Sequence, residues 1–528
     1  MTGRPESLAG ALALVRGRPE LGALRRGIEK ESLRVTPSGA LAVTPHPPGL
    51  GSPLTHPHIT TDFSEAQLEL ITAVHASAED VLGELADIHR FVHANVGDEL
   101  LWAASMPCIL GPEAEIPVAR FGSSNAGRSK TVYRMGLSYR YGRLMQTISG
   151  IHYNFSVPET LMAVLAGDRT AAADFATERY FALIRNFRRY SWLLIYLFGA
   201  SPAVCKSFLR RADADRVPAT RLEVWDEGTL HLPHATSLRM GRLGYQSDAQ
   251  SSLHISYNGL AQYAATMRDA LTKPFPPFEA IGVQVDGEYR QLSTALLQIE
   301  NEFYGTIRPK RRVRSGERPL DALHDRGVEY VEVRCMDLDP FQPLGIDAVT
   351  CRFLDVFLLY CLLAESPPDS RRESEAMLAN QTTIVERGRE PGLKLAAGNG
   401  KVPAARWASE LLDHCAQVAV EIDAVTGNGD HGAAVAAQRR KVLEPSSTPS
   451  ARVLSSLREL KLPFARFAMQ RSSAHRAAFT EPPLTAERRA ELTAMSEASL
   501  AEQARLEAAD SVPFDEYLAR YLKLAYDA

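Results

Sequence analysis

An α+β fold with a helical C-terminal part is what this 528-residue sequence predicts, and two observations carry it. From about Gly27 to Asp339, short segments with one polar and one apolar face alternate irregularly with helical stretches. That irregularity argues against a doubly wound parallel sheet, where single helices follow single strands. Beyond about Val349 the pattern becomes Ala- and Leu-rich and helical. Residues 1–364 are therefore expected to form the principal α+β unit, and residues 365–528 a helical annex packed on it within one integrated domain.

The strands are expected at Gly27–Val35, Ile59–Phe63, Gln67–Thr72, Gly150–Val157 and Val328–Met336. Between the third and fourth, Val74–Val96 reads as a helix. Ser77 and Asp80 form its capping box, and Val81, Leu85, Ile88 and Val92 recur at helical spacing. A second long helix is expected over Thr170 to Leu197. The apolar runs SWLLIYLFGA and FLDVFLLYCLLA fall short of the ~18 residues that suggest a membrane span, and Asp355 interrupts the second. Both are core helices. In the annex, Trp407, Leu411, Cys415, Val418, Ile422 and Val425 give one amphipathic helix of about five turns. The segments ESPPDS, REPGLKLAAGNGKVP, LEPSSTPS and TEPPLTAE read as loops.

Composition narrows the function. Apolar residues make up 45% and charged residues 23%, an ordinary soluble balance. The net charge of −4, with no run of five basic residues, gives no electrostatic case for nucleic acid. The opening MTGRPESLAGALALVRG is too short and too polar at its flanks for a signal peptide. Six scattered cysteines without a CxxC pair read as free thiols in a reducing cytoplasm.

The chemistry gathers in the strands. In RGIEKESLRV, Glu29 and Glu31 are two residues apart and share a face, while Ile28 points the other way. Like charges so placed repel, so a positive group should sit over them. ITTDFSEAQLELIT adds Asp62, Glu65 and Glu69; GVEYVEVRCMDLDP adds Glu329, Glu332, Asp337 and Asp339. There, Tyr330, Glu332 and Arg334 share one face, and Val331 and Val333 the other. Any one such charge suits a solvated face, but repeated carboxylates on sheet faces call for hard cations. Mg²⁺ takes oxygen ligands and bridges to phosphates, and arginine offers a planar fork for phosphoryl oxygens. Together these residue types point to ATP-dependent phosphoryl transfer.

No standard nucleotide loop accompanies them. GSSNAGRSK nearly spells a P-loop, but Arg128 takes the lysine position and EIPVARF before it is a poor buried strand. A nucleotide would instead be held by a sheet surface and metals. His152 alternates with Asn154 on one strand face, with Gln146 and Ser149 just upstream. Tyr133, Tyr245 and Tyr304 stand in polar surroundings, where a tyrosine is more often core or rim than ligand-binding.

The blocks RGIEKESLRV, HITTDFSEAQLELIT, MQTISGIHYNFS, LLQIENEFYGTIRPKR and GVEYVEVRCMDLDP run in this order between about Leu21 and Ala364. Together they resemble the glutamate–cysteine ligases (γ-glutamylcysteine synthetases) found in many Gram-negative bacteria. The C-terminal third matches only loosely. The resemblance implies a curved, mainly antiparallel sheet forming a funnel-shaped active site, related to glutamine synthetase and guanidino kinases, with helices outside. It implies ATP-dependent joining of the glutamate γ-carboxyl to the cysteine amine, through a γ-glutamyl phosphate, as the first step of glutathione biosynthesis. The positions of Glu29, Glu31, Asp62, Glu69, His152 and Glu332 then hold Mg²⁺, or Mn²⁺ in its place. Arg334 faces the transferred phosphoryl group, with Glu332 beside it. Tyr133, Leu137, Gln146, Tyr245 and Tyr304 resemble the pocket for the cysteine side chain, and Arg134 and Arg239 clamps for carboxylates. Cys335 and Asp339 stand where many relatives have serine and asparagine. The implied partners are L-glutamate, L-cysteine and ATP, with neither nucleic acid nor membrane, and the implied assembly is a monomer. Two alternatives stay open: a carboxylate–amine ligase with another acceptor, and a catalytically silent ATP-binding relative.

Overall fold

The computed structural model describes residues 7–167, 172–209, 222–244, 249–250, 253–314 and 316–524. Its centre is an antiparallel sheet whose seven strands come from distant parts of the chain. They are β1 (Arg25–Val35), β2 (Ile59–Thr61), β3 (Gln67–Ile71), β4 (Leu100–Leu101), β5 (Ile151–Ser156), β6 (Ile307–Lys310) and β7 (Tyr330–Met336). The order is β6-β7-β5-β1-β3-β2, with β4 paired to the far end of β1. Every expected strand is present, trimmed by a residue or two at its ends; β1 alone begins earlier. The sequence reading lacked β6, whose four residues Ile-Arg-Pro-Lys are short and contain a proline that only an edge strand tolerates.

Register turns alternation into two distinct faces. Ile28 on β1, Leu68 and Leu70 on β3, Tyr153 and Phe155 on β5, and Val331 and Val333 on β7 are all buried on one side. That side is covered by α3 (Ala172–Phe198) and α4 (Ala348–Leu363), the two expected core helices. Asp355, the acid inside the second apolar run, is buried against the sheet. It accepts a hydrogen bond from the Tyr153 hydroxyl (2.8 Å) and pairs with Arg26 (2.9 Å).

The helix α1 (Ala78–Asn95) starts as its capping box requires, with Ser77 Oγ accepting from the Asp80 amide at 3.0 Å. The GSSNAGRSK segment opens α2 (Asn125–Tyr141), where Ser124 caps the helix through the Gly127 amide. No strand leads into it among the described residues, so its phosphate-loop spelling has no phosphate-loop context. The C-terminal helices α5 (Ala404–Thr426), α6 (Asp430–Leu443) and α7 (Phe464–Thr480) pack back on the sheet unit. One apolar cluster takes in Leu183 of α3, Phe357 of α4 and Leu411 of α5. The segment read as the loop REPGLKLAAGNGKVP folds into a hairpin, Lys394–Ala397 with Gly400–Pro403. Its Gly398 has φ +56, which permits the tight reversal. All six cysteines are buried and free. No helix among the described residues is long and apolar enough to cross a membrane.

Candidate active site

The second face of the sheet carries the chemistry. Glu31 lies opposite Glu69, Glu29 opposite His152, and Asn154 opposite Glu332, which in turn lies opposite Arg308. A polar stripe therefore crosses five strands, β3 to β6. Glu29, His152 and Glu332 each offer a ligand atom within 4.8 Å of the others. Glu29 is 3.2 Å from His152 Nδ1 and accepts from Asn154 Nδ2 at 2.9 Å. The other imidazole nitrogen is 3.6 Å from Glu31. Glu31 also accepts from the Gly150 amide at 2.8 Å.

Electrostatics divides the stripe in two. At the β3 end, burial and then the charges of Glu29, Asp62 and Glu31 push the Glu69 carboxyl well above the usual carboxylate range. Burial and Asp62 likewise raise Glu31 to about 8, against the pull of Arg239 and Arg334. At the β6 end burial opposes ionisation too, but the cations Lys310, Arg334 and Arg308 hold Glu332 well below that range. Lys310 Nζ is 3.4 Å and an Arg334 Nη 3.3 Å from the Glu332 carboxylate. The donor set fits a hard cation: acids crowd together with too little positive charge, and a divalent ion among their oxygens removes the repulsion. Burial and Arg334 keep the pKa of His152 below its usual value, so the ring stays neutral and able to ligate.

A cavity of about 70 Å³ opens beside this stripe. Glu31, Asp62 and Arg334 form its sheet side. Tyr133, Arg134 and Leu137 face it from α2, and Gln146 and Tyr304 come from the turns before β5 and β6. One turn of helix separates Tyr133 from Leu137, which puts both on the same face. Gln146 Nε2 donates to the Tyr304 hydroxyl at 3.1 Å, and Tyr304 stacks edge-on against Tyr141. Arg134 donates to the carbonyl oxygens of Asp62 and Thr61 and lies 4.3 Å over the Phe121 ring. Arg239 is fully buried behind the cavity, donating to the Arg334 carbonyl at 2.9 Å and facing Asp337 at 3.7 Å. A side chain at Gly150 would overlap that guanidinium, so Arg239 would have to move to admit one. Tyr245 lies outside the described residues.

A family model, glutamate-cysteine ligase, matches residues 12–384. The chain belongs to the glutamate–cysteine ligase family. It is 51% identical over 498 residues to the glutamate–cysteine ligase of Pseudomonas paraeruginosa, covering 94% of this chain and 93% of the relative. The ligase of Alcanivorax borkumensis is 49% identical over 509 residues, covering 95% and 96%. The crystal structure of the Francisella tularensis glutamate–cysteine ligase in complex with AMP superposes with a TM-score of 0.89 at 39% identity, covering 95% of this chain and 97% of that one. A bifunctional glutathione synthetase from Pasteurella multocida gives 0.68 at 25% identity, covering 90% of this chain and 54% of that one.

In this glutamate–cysteine ligase family member the sequence reading passed over three residues of the stripe. Asn154 was noted only as sharing a strand face with His152. Arg308 and Lys310 carry no signal of their own in the sequence while β6 is not evident as a strand. Given the strand, alternation about Pro309 in TIRPKRR aims both basic residues at the face that holds Glu332.

Proposed function

We propose that this protein joins the γ-carboxyl of L-glutamate to the amine of L-cysteine at the expense of ATP, giving γ-glutamylcysteine, ADP and phosphate. This is the first step of glutathione biosynthesis. The observation that carries the reading is the meeting of the acidic stripe, Arg334 and the tyrosine-lined cavity at one place on the sheet. On this reading the curved sheet is the wall of a funnel of the glutamine synthetase and guanidino kinase type, and the protein works as a monomer.

Glu29, Glu31, Asp62, Glu69, His152 and Glu332 would hold Mg²⁺, or Mn²⁺ in its place, between them. When bound, the ion supplies charge neutralisation for phosphate oxygens and for the crowded carboxylates. The chain's own residues do the rest. A carboxylate is a poor electrophile, so the glutamate γ-carboxylate first takes the terminal phosphoryl group of ATP. Arg334 offers its fork to the transferring oxygens, where negative charge spreads in the transition state. Lys310 adds a second cation on the same face. The amine of cysteine then attacks the acyl phosphate and phosphate leaves. No nucleophilic side chain is needed, because positioning and electrostatics supply the catalysis.

Tyr133, Leu137, Gln146 and Tyr304 form the pocket for the small thiol side chain, and the family resemblance adds Tyr245 to the set. Arg134 clamps a substrate carboxylate from the cavity wall, and Arg239, fully buried, positions Arg334 by donating to its carbonyl instead of reaching the substrate as expected. The deciding measurement is ADP release with L-glutamate and Mg²⁺, with and without L-cysteine. A sharp rise on adding cysteine is expected. Equal stimulation by many unrelated amines would reassign the acceptor, and ATP binding without turnover would mark a silent relative.

A further inference from the structure

A second polar cavity, of about 180 Å³, lies on the opposite side of the sheet from the active site. It opens where the loop after β7 meets the start of α4, the end of α6 and the segment that follows. Its volume is far above the ~10–15 Å³ that one water needs. Asp339 and Asp347 line it, as do Lys441 and Arg452. None of these four makes an ion pair within 4.0 Å among the described residues. The opposite charges therefore share the cavity and attract one another through space without coming into ion-pair contact.

Each is fixed in place by something else. Asp347 caps α4 through the Thr350 amide at 2.8 Å, and Asp339 accepts from the Phe341 amide at 2.9 Å. Lys441 donates to the Leu197 carbonyl at 3.1 Å with its ammonium 4.5 Å over Phe198, and the Arg452 guanidinium lies 4.0 Å over the Phe341 ring. Gln438, 1% exposed, also lines the cavity; its amide nitrogen donates to Ala434, while its Oε1 has no partner. A buried acceptor left unpaired destabilises the fold and calls for a donor. Burial lowers Lys441 to about 8 and raises Asp339, and the opposite charges around the cavity offset this only in part. Ile151, Phe198 and Met336 supply an apolar floor.

We propose that this cavity binds a small zwitterion with an apolar side chain, an α-amino acid in free form. Its ammonium would meet Asp339 and the unpaired Gln438 Oε1, its carboxylate Lys441 and Arg452, and its side chain the apolar floor. A molecule carrying only one of the two charges would satisfy one wall and leave the other bare. The site is separate from the ligase reaction and does not depend on it.

The experiment is calorimetric titration of the full chain with L-leucine, and with isocaproate and isoamylamine, which keep only the carboxylate or only the amine. Leucine should bind, and each single-charge analogue about 10-fold or more weakly, the weight of one charge-assisted hydrogen bond. Lys441→Met and Asp339→Asn should each weaken leucine by a similar factor while keeping the melting temperature and ligase turnover. If Lys441→Met loses its fold along with the Leu197 contact, Asp339→Asn reads the same wall-to-wall arrangement. Tyr304→Ala should leave leucine binding intact. Two outcomes overturn the proposal: no binding to the wild type, which makes the cavity a water-filled void, or binding lost in Tyr304→Ala and kept in Lys441→Met, which places leucine in the cysteine pocket.

Discussion

Arg334 and Glu69 stand at opposite ends of the polar stripe, and they fail in opposite ways when changed. Arg334 is 3.3 Å from Glu332 and lines the substrate cavity, so one side chain touches both the acidic stripe and the pocket. Arg334→Lys keeps the charge and loses the two-pronged geometry. If the fork meets developing phosphoryl charge, kcat should fall by ~10²–10³ with the melting temperature unchanged. If the arginine were only a buried ion-pair partner of Glu332, turnover would hold and the effect of the swap would appear in stability instead. Glu69 is instead a carboxylate in a place that disfavours it, crowded by Glu29, Asp62 and Glu31. Glu69→Gln is nearly isosteric and relieves that repulsion. The metal-free protein should melt at the same temperature or higher, while both the Mg²⁺-induced rise in melting temperature and the activity shrink. A metal-free protein that melts clearly lower would show that Glu69 holds the fold rather than a cation.

At the scale of elements, the sequence made the sheet legible wherever a strand had two unlike faces. Glu29 with Ile28, and Glu332 with Val331, declare their sides by alternation alone, and the register then makes one stripe of them. It could not reveal β6, because a four-residue edge strand with a proline has neither the length nor the β-branched residues that mark a strand. For the same reason Lys310 was missed, although it is 3.4 Å from a residue that was found. Gly150 and Arg239 illustrate another limit, since a close approach between distant segments leaves no local pattern. The proposed metal ligands and pocket residues come chiefly from family resemblance, not from spacing. Asp355 was read only as an interruption in an apolar run, yet it joins α4 to the sheet through Arg26 and Tyr153. Asp355→Ala leaves a buried guanidinium unpaired and should cost about 3–5 kcal/mol. Asp355→Asn, which keeps an acceptor for Tyr153, should cost less. Equal urea midpoints for wild type and Asp355→Ala would mean that water replaces the lost carboxylate.

At the scale of the whole molecule, one cluster ties the N-terminal sheet to the C-terminal helices, and it is built from histidines kept neutral. His89 and His93 of α1 stack on Phe479 of α7, with ring centroids 4.8 and 5.7 Å away. His89 Nε2 is 2.9 Å from Lys30 Nζ on β1. His475 of α7 donates its Nε2–H to the Pro340 carbonyl at 2.9 Å. Burial and then the neighbouring cations Lys30 and Arg476, with His475, lower His93 to about 3. Burial chiefly, with Lys30 and Arg471 nearby, lowers His475 to about 4. In the unfolded chain both titrate near 6.5. Above that pH neither state takes up a proton, and the full stability is present. As the pH falls below 6.5 the unfolded chain binds protons that the folded one refuses. Stability is then lost at up to ~1.4 kcal/mol per pH unit for each histidine until the folded value is reached. The site carboxylates run the other way, since Glu31 with a value near 8 takes up its proton in the folded state first. The measurement therefore compares wild type with His93→Gln, in which the carboxylate contribution cancels. Urea midpoints at pH 7, 6, 5 and 4 should show wild type losing ground to the variant steadily below 6.5, by about one proton's worth. Parallel curves across that range would mean that His93 is protonated in the folded protein and that the cluster opens to water.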